Sequence, residues 1–223
     1  MTRTDVQKLY SRAGGRWWDP FRAVWEVCTS RRAKADLESL LRRYVAPETR
    51  ILDLGCGTGA NLDRLLRLGL RFGHYTGVDF STWMLALAQK RFGDTPGVTF
   101  LEADVTVLED NGERYDTIVG TWLLDHLSEP LSFVNGIQRL LAPDGHLLLM
   151  FYSRPRWFLR TWLSPLGRKL VLADPVPEEE VSRFSGVLLK KTYSAGVVTL
   201  VDIGASGGAP GRVPTQKQAT RQG

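Results

Sequence analysis

Three glycines spaced two residues apart, Gly55, Gly57 and Gly59, follow a short apolar run and precede a helical pattern. Glycine permits tight turns and removes side chains that would hold a ligand away from the backbone. The helix that follows offers unpaired N–H groups at its start. We therefore expect a strand–turn–helix unit, including Cys56, that brings a nucleoside-type ligand close to bare backbone.

The glycine turn alone leaves its ligand open, because Gly55-x-Gly57-x-x-Ala60 also satisfies the dinucleotide pattern. Asp79 ends the next apolar run, where its carboxylate can accept hydrogen bonds from both ribose hydroxyls, while Ser81 is available to cap the following helix. Asp79 suits either a dinucleotide or another nucleoside. Asp104, after the third run, is expected to accept the adenine amino group, with a solvated turn acid as the alternative.

Short apolar runs alternate with helical patterns from residue 51 onward, which predicts a parallel sheet with helices on both faces. Because ligands bind at the carboxyl ends of such strands, the candidate residues converge on one edge. Strands are predicted over 51–54, 75–78, 98–101, 115–119 and 146–151, helices over 36–44, 62–70, 83–92 and 131–141, and an antiparallel C-terminal hairpin over 187–193 and 197–203.

Five motifs occur in a fixed order over about residues 50–152. They are Ile-Leu-Asp-Leu-Gly-Cys-Gly-Thr-Gly from Ile51, Gly-Val-Asp-Phe-Ser from Gly77, Glu-Ala-Asp from Glu102, Tyr-Asp-Thr-Ile-Val from Tyr115 and Leu-Leu-Ala-Pro-Asp-Gly from Leu140. In these motifs the chain resembles the class I S-adenosylmethionine (SAM)-dependent methyltransferases, closest in style to the ubiquinone/menaquinone-type and small-molecule enzymes. One departure is Asp144, where the family usually has glycine.

The resemblance implies an α/β, Rossmann-like, seven-stranded and mostly parallel sheet with SAM as cofactor and S-adenosylhomocysteine (SAH) as product. It implies an N-terminal helical cap over 1–49, a SAM-binding domain over 50–203 with an acceptor lid at about 154–186, and a disordered tail over 204–223. Beside the glycines, Asp79 and Asp104, the residues expected to bind the cofactor are Asp53 (at its amino-acid end), Cys56, Phe80, Met84, Val105 and Thr121.

His126, which follows the fourth strand, and its neighbour Asp125 are the residues expected to face the acceptor. A base at this place would remove the proton from a hydroxyl or acidic-carbon acceptor. The alternatives are a histidine that orders the loop and an aspartate that caps the next turn. Tyr10 is expected to close over the cofactor, as a residue at this N-terminal position does in related enzymes, or to pack in the cap.

The net charge of +5 includes three cations, Arg212, Lys217 and Arg221, in a tail without acids, so nucleic acid is not expected as a partner. Two cysteines make neither a disulfide framework nor a metal site, and a cytoplasmic protein is expected. The basic, tryptophan-containing segment 154–169 suggests contact with a lipid-like acceptor or a membrane surface. A small aromatic or lipophilic acceptor is expected, with oxygen, nitrogen and carbon open as the methylated atom; a nicotinamide-dependent oxidoreductase and a non-catalytic SAM-fold protein remain as alternatives.

Overall fold

The computed structural model describes residues 30–154 and 174–205. The strands within these ranges are β1 (Arg50–Leu54), β2 (His74–Asp79), β3 (Val98–Glu102), β4 (Tyr115–Thr121), β5 (Leu141–Tyr152), β6 (Val187–Tyr193) and β7 (Val198–Gly204). The helices there are α1 (Arg31–Tyr44), α2 (Ala60–Arg67), α3 (Thr82–Phe92), α4 (Pro130–Ile137) and α5 (Glu178–Val181).

The described strands form one seven-stranded sheet in the order β3-β2-β1-β4-β5-β7-β6. Strands β1 to β5 pair in parallel, whereas β7 is antiparallel to both β5 and β6. The predicted mostly parallel α/β sheet and its C-terminal hairpin are therefore confirmed. The hairpin does not simply extend the sheet, because β7 inserts between β5 and β6.

The two faces of the sheet carry separate apolar clusters. Side chains alternate across a strand, so Leu147, Leu149 and Phe151 of β5 enter one cluster, with residues of α4 and α5. Leu148, Met150 and Tyr152 enter the other, which we call the α1-face cluster because α1 buries its Leu37 and Leu41 there together with residues of α2. Helices thus cover both faces, as the alternation of patterns predicts.

The start of β5 differs from the prediction. The helix predicted over 131–141 ends at Ile137 and continues as a 3₁₀ turn (Gln138–Leu140), and β5 begins at Leu141. Pairing with β4 then jumps from Tyr115–Leu141 to Thr117–His146, so the intervening residues form an irregular loop within the strand. Asp144 turns this loop with a φ of 62°, a conformation that glycine adopts most easily.

Helix α1 begins at Arg31, five residues before the predicted start, and α2 spans Ala60–Arg67 rather than 62–70. At its C-terminal end α1 is fastened to the sheet by Tyr44, whose hydroxyl donates to Asp202 Oδ2 at 2.7 Å. His146 Nδ1 lies 2.9 Å from Asp202 Oδ1, and the Tyr44 and His146 rings stack with centroids 3.5 Å apart. We call these three residues the N-terminal-edge cluster, because they lie where β5 begins.

Candidate cofactor and active site

The carboxyl ends of β1, β2 and β4 lie side by side in the sheet. Leu54 pairs with Val78 on one side and with Gly120 on the other, and Asp79 pairs with Glu102 of β3. The residues that follow these strands therefore meet at one edge, which we call the C-terminal edge. The glycine turn, Asp79, Asp104, Thr121 and the segment after β4 all lie there.

The glycine turn has the backbone that only glycine adopts without strain. Gly55, Gly57 and Gly59 have φ values of 64°, 54° and 84°. The Cys56 N–H donates to the Val78 carbonyl at 3.0 Å, which fastens the turn to β2. A Cβ added to Gly59 would lie 2.7 Å from Phe92 Cε2, whereas no atom of the described ranges comes within 4 Å of one added to Gly57. Gly59 therefore serves packing, and Gly57 leaves its backbone open to a ligand.

Cys56 itself is buried, with 4% of its surface exposed. Burial raises the pKa of its thiol, and the nearby Asp53 and Asp79 raise it further, so the side chain stays a neutral thiol. Its possible contribution to cofactor binding is through the backbone of the turn, while the side chain packs.

Asp79 shapes the turn directly. Its Oδ2 accepts a hydrogen bond from the Gly57 N–H at 2.9 Å, and its Oδ1 accepts one from the Ser81 N–H at 2.9 Å. Burial raises the pKa of Asp79, and these N–H groups oppose that effect. Each carboxylate oxygen has a further lone pair for a ribose hydroxyl. Helix α3 is capped by Ser81 Oγ, which accepts from the Met84 N–H at 3.4 Å, so Asp79 is not needed as the cap.

A buried polar network lies beneath the turn. Asp53 is fully enclosed, with its Oδ1 accepting from Asn61 Nδ2 at 2.9 Å and its Oδ2 from the Tyr75 hydroxyl at 2.5 Å. Asn61 Nδ2 also donates to Thr121 Oγ1 at 3.2 Å, and Arg64 donates to the Asn61 side-chain carbonyl. These five residues are the Asp53 network, which joins β1, β2, β4 and α2.

Burial raises the pKa of Asp53 to about 6, although its bonds to Tyr75 and Asn61 and the charge of Arg64 oppose the rise. Asp53 presents no surface to a ligand in this geometry, because Asn61 and Tyr75 enclose its oxygens. Its predicted contact with the amino-acid end of the cofactor stays a prediction. Any influence of Asp53 on the cofactor would be indirect, through its hydrogen-bonded neighbours Asn61 and Thr121.

The expected adenine side contains both buried and partly buried groups. Met84 and Val105 are buried, with 4% and 7% of their surfaces exposed, and Phe80 is partly buried. Asp104 Oδ1 accepts from the Thr106 N–H at 3.0 Å and from its hydroxyl at 2.8 Å. Asp104 thus caps the 3₁₀ turn that follows β3, so it has the turn role that is the alternative to adenine binding. Its contact with adenine stays a prediction.

The segment after β4 packs on the glycine turn. Trp122 has a φ of 59°, which is unusual for a bulky residue, and its backbone N–H donates to the Met150 carbonyl at 2.7 Å. The side chain of Leu123 lies so close to Gly55 that an added Cβ would meet its Cδ1 at 3.2 Å. The segment that carries the residues expected to face the acceptor therefore touches, through Leu123, the turn expected to hold the cofactor.

Asp125 and His126 form a close pair in the 3₁₀ turn Leu124–His126. Asp125 is 5% exposed; its Oδ1 accepts from the Tyr152 N–H at 3.4 Å and its Oδ2 lies 3.9 Å from His126 Nε2. Burial raises the pKa of Asp125, and His126 opposes the rise. At 3.9 Å the carboxylate would stabilise a protonated imidazole, which suits a base with an orienting acid. Asp125 also holds the chain locally, since its carbonyl accepts from the Asp174 N–H at 2.8 Å.

Several predicted features lie outside the described residues. Tyr10 and the rest of the predicted cap before residue 30 are among them, as are residues 155–173 of the predicted acceptor lid and basic segment and residues 206–223 of the tail. In the ranges that are described, no helix is long and apolar enough to cross a membrane.

Sequence reasoning missed Asn61, Arg64 and Tyr75 of the Asp53 network. A signal was present for two of them, because Asn61 and Arg64 lie at helical spacing beside Leu62 and Leu65 on the buried face of α2. Polar residues at buried positions normally have a polar partner. No sequence pattern marked Trp122 or Tyr152.

Comparison with known proteins agrees with this geometry. Residues 51–145 match the family model described as a methyltransferase domain. The ubiquinone biosynthesis O-methyltransferase of Paracidovorax citrulli (strain AAC00-1) is 32% identical over 152 residues, covering 65% of this chain and 60% of that protein. The demethylmenaquinone methyltransferase of Clavibacter sepedonicus is 30% identical over 134 residues, covering 59% and 49%. The chain spans 60% or less of the length of these two relatives.

Among solved structures, the magnesium protoporphyrin IX methyltransferase from Synechocystis PCC 6803 with bound SAH is similar in fold, with a TM-score of 0.68 and 17% identity, covering 92% of this chain and all of that one. The sheet and the glycine turn define a Rossmann-like fold. The match over residues 51–145 shows that this part of the chain is similar to the methyltransferase-domain family.

Proposed function

We propose that this chain transfers the methyl group of SAM to a small aromatic or lipophilic acceptor and releases SAH. The observation that carries the proposal is the hydrogen bond between Asp79 and Gly57, because it joins a carboxylate suited to ribose hydroxyls to an open glycine turn. Asp79 would bind the ribose hydroxyls, the backbone at Gly57 would approach the nucleoside, and Asn61 and Thr121 would lie toward its amino-acid end. Met84 and Val105 offer an apolar wall for adenine.

SAM supplies a methyl group that is already electrophilic, so the chain's own residues have to position the acceptor and receive its proton. Holding the two reactants in line in a site closed to water accounts for most of the expected rate. With a hydroxyl acceptor, the new bond forms from oxygen to the methyl carbon while the sulfur–methyl bond breaks. His126 takes the hydroxyl proton on its imidazole ring, and Asp125 stabilises the resulting cation.

The acceptor class is supported by two observations. The relatives are named for ubiquinone biosynthesis and for demethylmenaquinone, and quinones are rings that carry oxygen and lipophilic tails. Leu123 places aliphatic surface beside the glycine turn. Such surface favours an apolar ring over a strongly hydrated acceptor.

Cofactor binding is tested by calorimetric titration of the protein with SAM, SAH and NADH. SAM and SAH are expected to bind and NADH is not; binding of NADH without SAM would overturn the proposal in favour of an oxidoreductase. The Gly57→Ala variant should no longer bind SAH. Its free energy of unfolding should fall by only about 1–2 kcal/mol, because the alanine has to adopt a left-handed conformation. Gly59→Ala is the matched control, because its Cβ meets Phe92 and should lower stability further.

Turnover is tested with SAM and two probes, 4-butylcatechol and 4-butylaniline, by measuring the SAH released and the mass of the methylated product. We expect methylation of at least the catechol. If SAH binds and raises the unfolding temperature but neither probe is methylated, a non-catalytic SAM-binding protein becomes the better description.

A further inference from the structure

Two buried hydrogen-bond donors at the C-terminal edge have no partner within the described part of the chain. The Tyr152 hydroxyl and the Trp122 Nε1–H are shielded from solvent, and neither has a hydrogen-bond partner among residues 30–154 and 174–205. Tyr152 is 5% exposed as a whole residue. Buried polar groups in native proteins are nearly always bonded, so each unpaired one calls for an explanation.

The two donors lie on the same face of the sheet and at the same edge. The Trp122 backbone N–H is bonded to the carbonyl of Met150, two residues before Tyr152 on β5. Tyr152 belongs to the α1-face cluster, and Trp122 packs against that cluster. Both side chains therefore approach the end of β4 and β5 from the side that α1 covers, next to Thr121 of the Asp53 network.

The backbone at Trp122 supports a binding role. A bulky residue with a φ of 59° is strained, and such strain is found most often at active and ligand-binding sites. The hydrogen bond from Trp122 to Met150 holds this conformation, which directs the indole onto the α1 face. A glycine would relieve the strain, yet the chain has a tryptophan there.

Both groups can donate a hydrogen bond to a ligand at neutral pH. An indole N–H has no acceptor capacity. Burial and the charge of Asp125 raise the pKa of Tyr152, so its hydroxyl keeps its proton. A ligand that takes a hydrogen bond from both groups presents acceptor oxygen atoms, set on or beside an apolar body that fits the surrounding cluster.

We infer that the Trp122 Nε1–H and the Tyr152 hydroxyl determine acceptor specificity by donating hydrogen bonds to ring oxygens of a phenol, catechol or quinone-type acceptor. The inference rests on the proposed function and deepens it. A ring without oxygen leaves both donors buried and unpaired. The resulting loss of affinity is far larger than the loss caused by a missing methylene group. The other source of accepting oxygens is the carboxylate of the cofactor, and the experiment separates the two.

The test uses the full chain saturated with SAH, so that it does not depend on turnover. Calorimetry measures the affinity for 4-butylcatechol and for butylbenzene, which has the same apolar body without oxygens. Wild type is expected to prefer the catechol. Tyr152→Phe and Trp122→Phe should each weaken catechol binding about tenfold, the equivalent of one hydrogen bond, and leave butylbenzene and SAH affinities unchanged.

A stability measurement on the ligand-free chain gives an independent readout. Tyr152→Phe removes an unpaired buried hydroxyl, so its unfolding temperature should rise by about 2–4 °C. Tyr115→Phe is the control at the opposite edge: its hydroxyl donates to Glu113 Oε2 at 2.9 Å, so its removal should lower the unfolding temperature and leave catechol binding unchanged.

Three results would overturn the inference. One is a wild type that binds the catechol no better than butylbenzene. Another is a loss of SAH affinity in the variants with catechol affinity intact, which would assign the donors to the carboxylate of the cofactor. The third is an unfolding temperature that falls in Tyr152→Phe as it does in Tyr115→Phe. A failure of the proposed function looks different, because it appears as absent SAH binding or absent methyl transfer in the wild type.

Discussion

The two edges of the sheet bury different polar groups. At the amino end of β5, Asp202 is 1% exposed and both of its oxygens have partners, in Tyr44 and His146. At the C-terminal edge, burial raises the pKa of three carboxyl groups, Asp53, Asp79 and Asp125. The same edge holds the unpaired donors of Trp122 and Tyr152 among the described residues.

The difference indicates which edge is built for stability and which for a ligand. A buried carboxylate whose oxygens are both bonded locks neighbouring elements together. Buried carboxyl groups with raised pKa values, unpaired donors and a strained backbone all cost stability, and proteins retain such features where they serve function. Substitutions at one edge, or at corresponding positions of both edges, test this difference.

The largest effect is expected from the two histidines. His126→Gln should lower kcat for a hydroxyl acceptor roughly a hundredfold or more, the usual contribution of a positioned base. His146→Gln is the matched substitution at the other edge, and it should lower stability while leaving kcat unchanged. Steady-state kinetics and chemical denaturation of both variants provide the comparison. Equal kcat values in the two variants would reduce His126 to a residue that orders its loop.

The second prediction concerns Asp53 and pH. Because the folded-state pKa is about 6 and the ordinary value is 3.8, the folded chain holds the proton more tightly than the unfolded chain. Stability from this group is therefore greatest at low pH and falls as pH rises from about 4 to about 6, by about 3 kcal/mol.

Asp53→Asn removes this dependence. The difference in unfolding free energy between wild type and variant, measured by urea denaturation across that pH range, should show the decline. A difference that stays flat would mean that Asn61, Tyr75 and Arg64 compensate fully for burial of the charge. A difference that rises with pH would mean that they overcompensate.

Much of the fold follows from the sequence because it depends on repeated patterns. Alternating strand and helix patterns predict the parallel sheet, and parallel strands bring their carboxyl ends to one edge. The irregular loop in β5 did not follow, since the pattern of apolar residues at 131–141 fits a longer helix as well. The pairing jump between Tyr115 and Thr117 depends on β4, which is distant in sequence.

The candidate site, like the fold, could be predicted from the sequence only in part. The glycines and Asp79 are recognisable because their residue types and spacing serve the chemistry directly. The Asp53 network was only partly visible, because partners such as Tyr75 and Asn61 become neighbours only when β2 and α2 pack around β1. The strain at Trp122 has no residue-type signal, because a tryptophan with positive φ is held there by its bond to Met150.

The third prediction tests the N-terminal-edge cluster. Tyr44→Phe removes one of the two partners of buried Asp202 and should cost about 1.5–3 kcal/mol of stability, the usual range for a hydrogen bond to a charged group. SAH affinity and kcat should not change, because the cluster is at the opposite edge from the glycine turn. Denaturation and calorimetry on the same preparation check both parts. A loss of SAH affinity would show that the two edges are coupled through α1.

The smallest effect is expected at Asp144, one of two strained residues other than glycine at the ends of β4 and β5. Asp144 has a φ of 62° and is exposed, so Asp144→Gly should relieve strain and stabilise the chain by about 0.5 kcal/mol, with catechol and SAH affinities unchanged. Trp122→Gly relieves comparable strain but removes a ring that packs on the α1-face cluster, so it should lose stability and catechol binding together. If Asp144→Gly also weakened ligand binding, strain would no longer distinguish the ligand edge from the structural one.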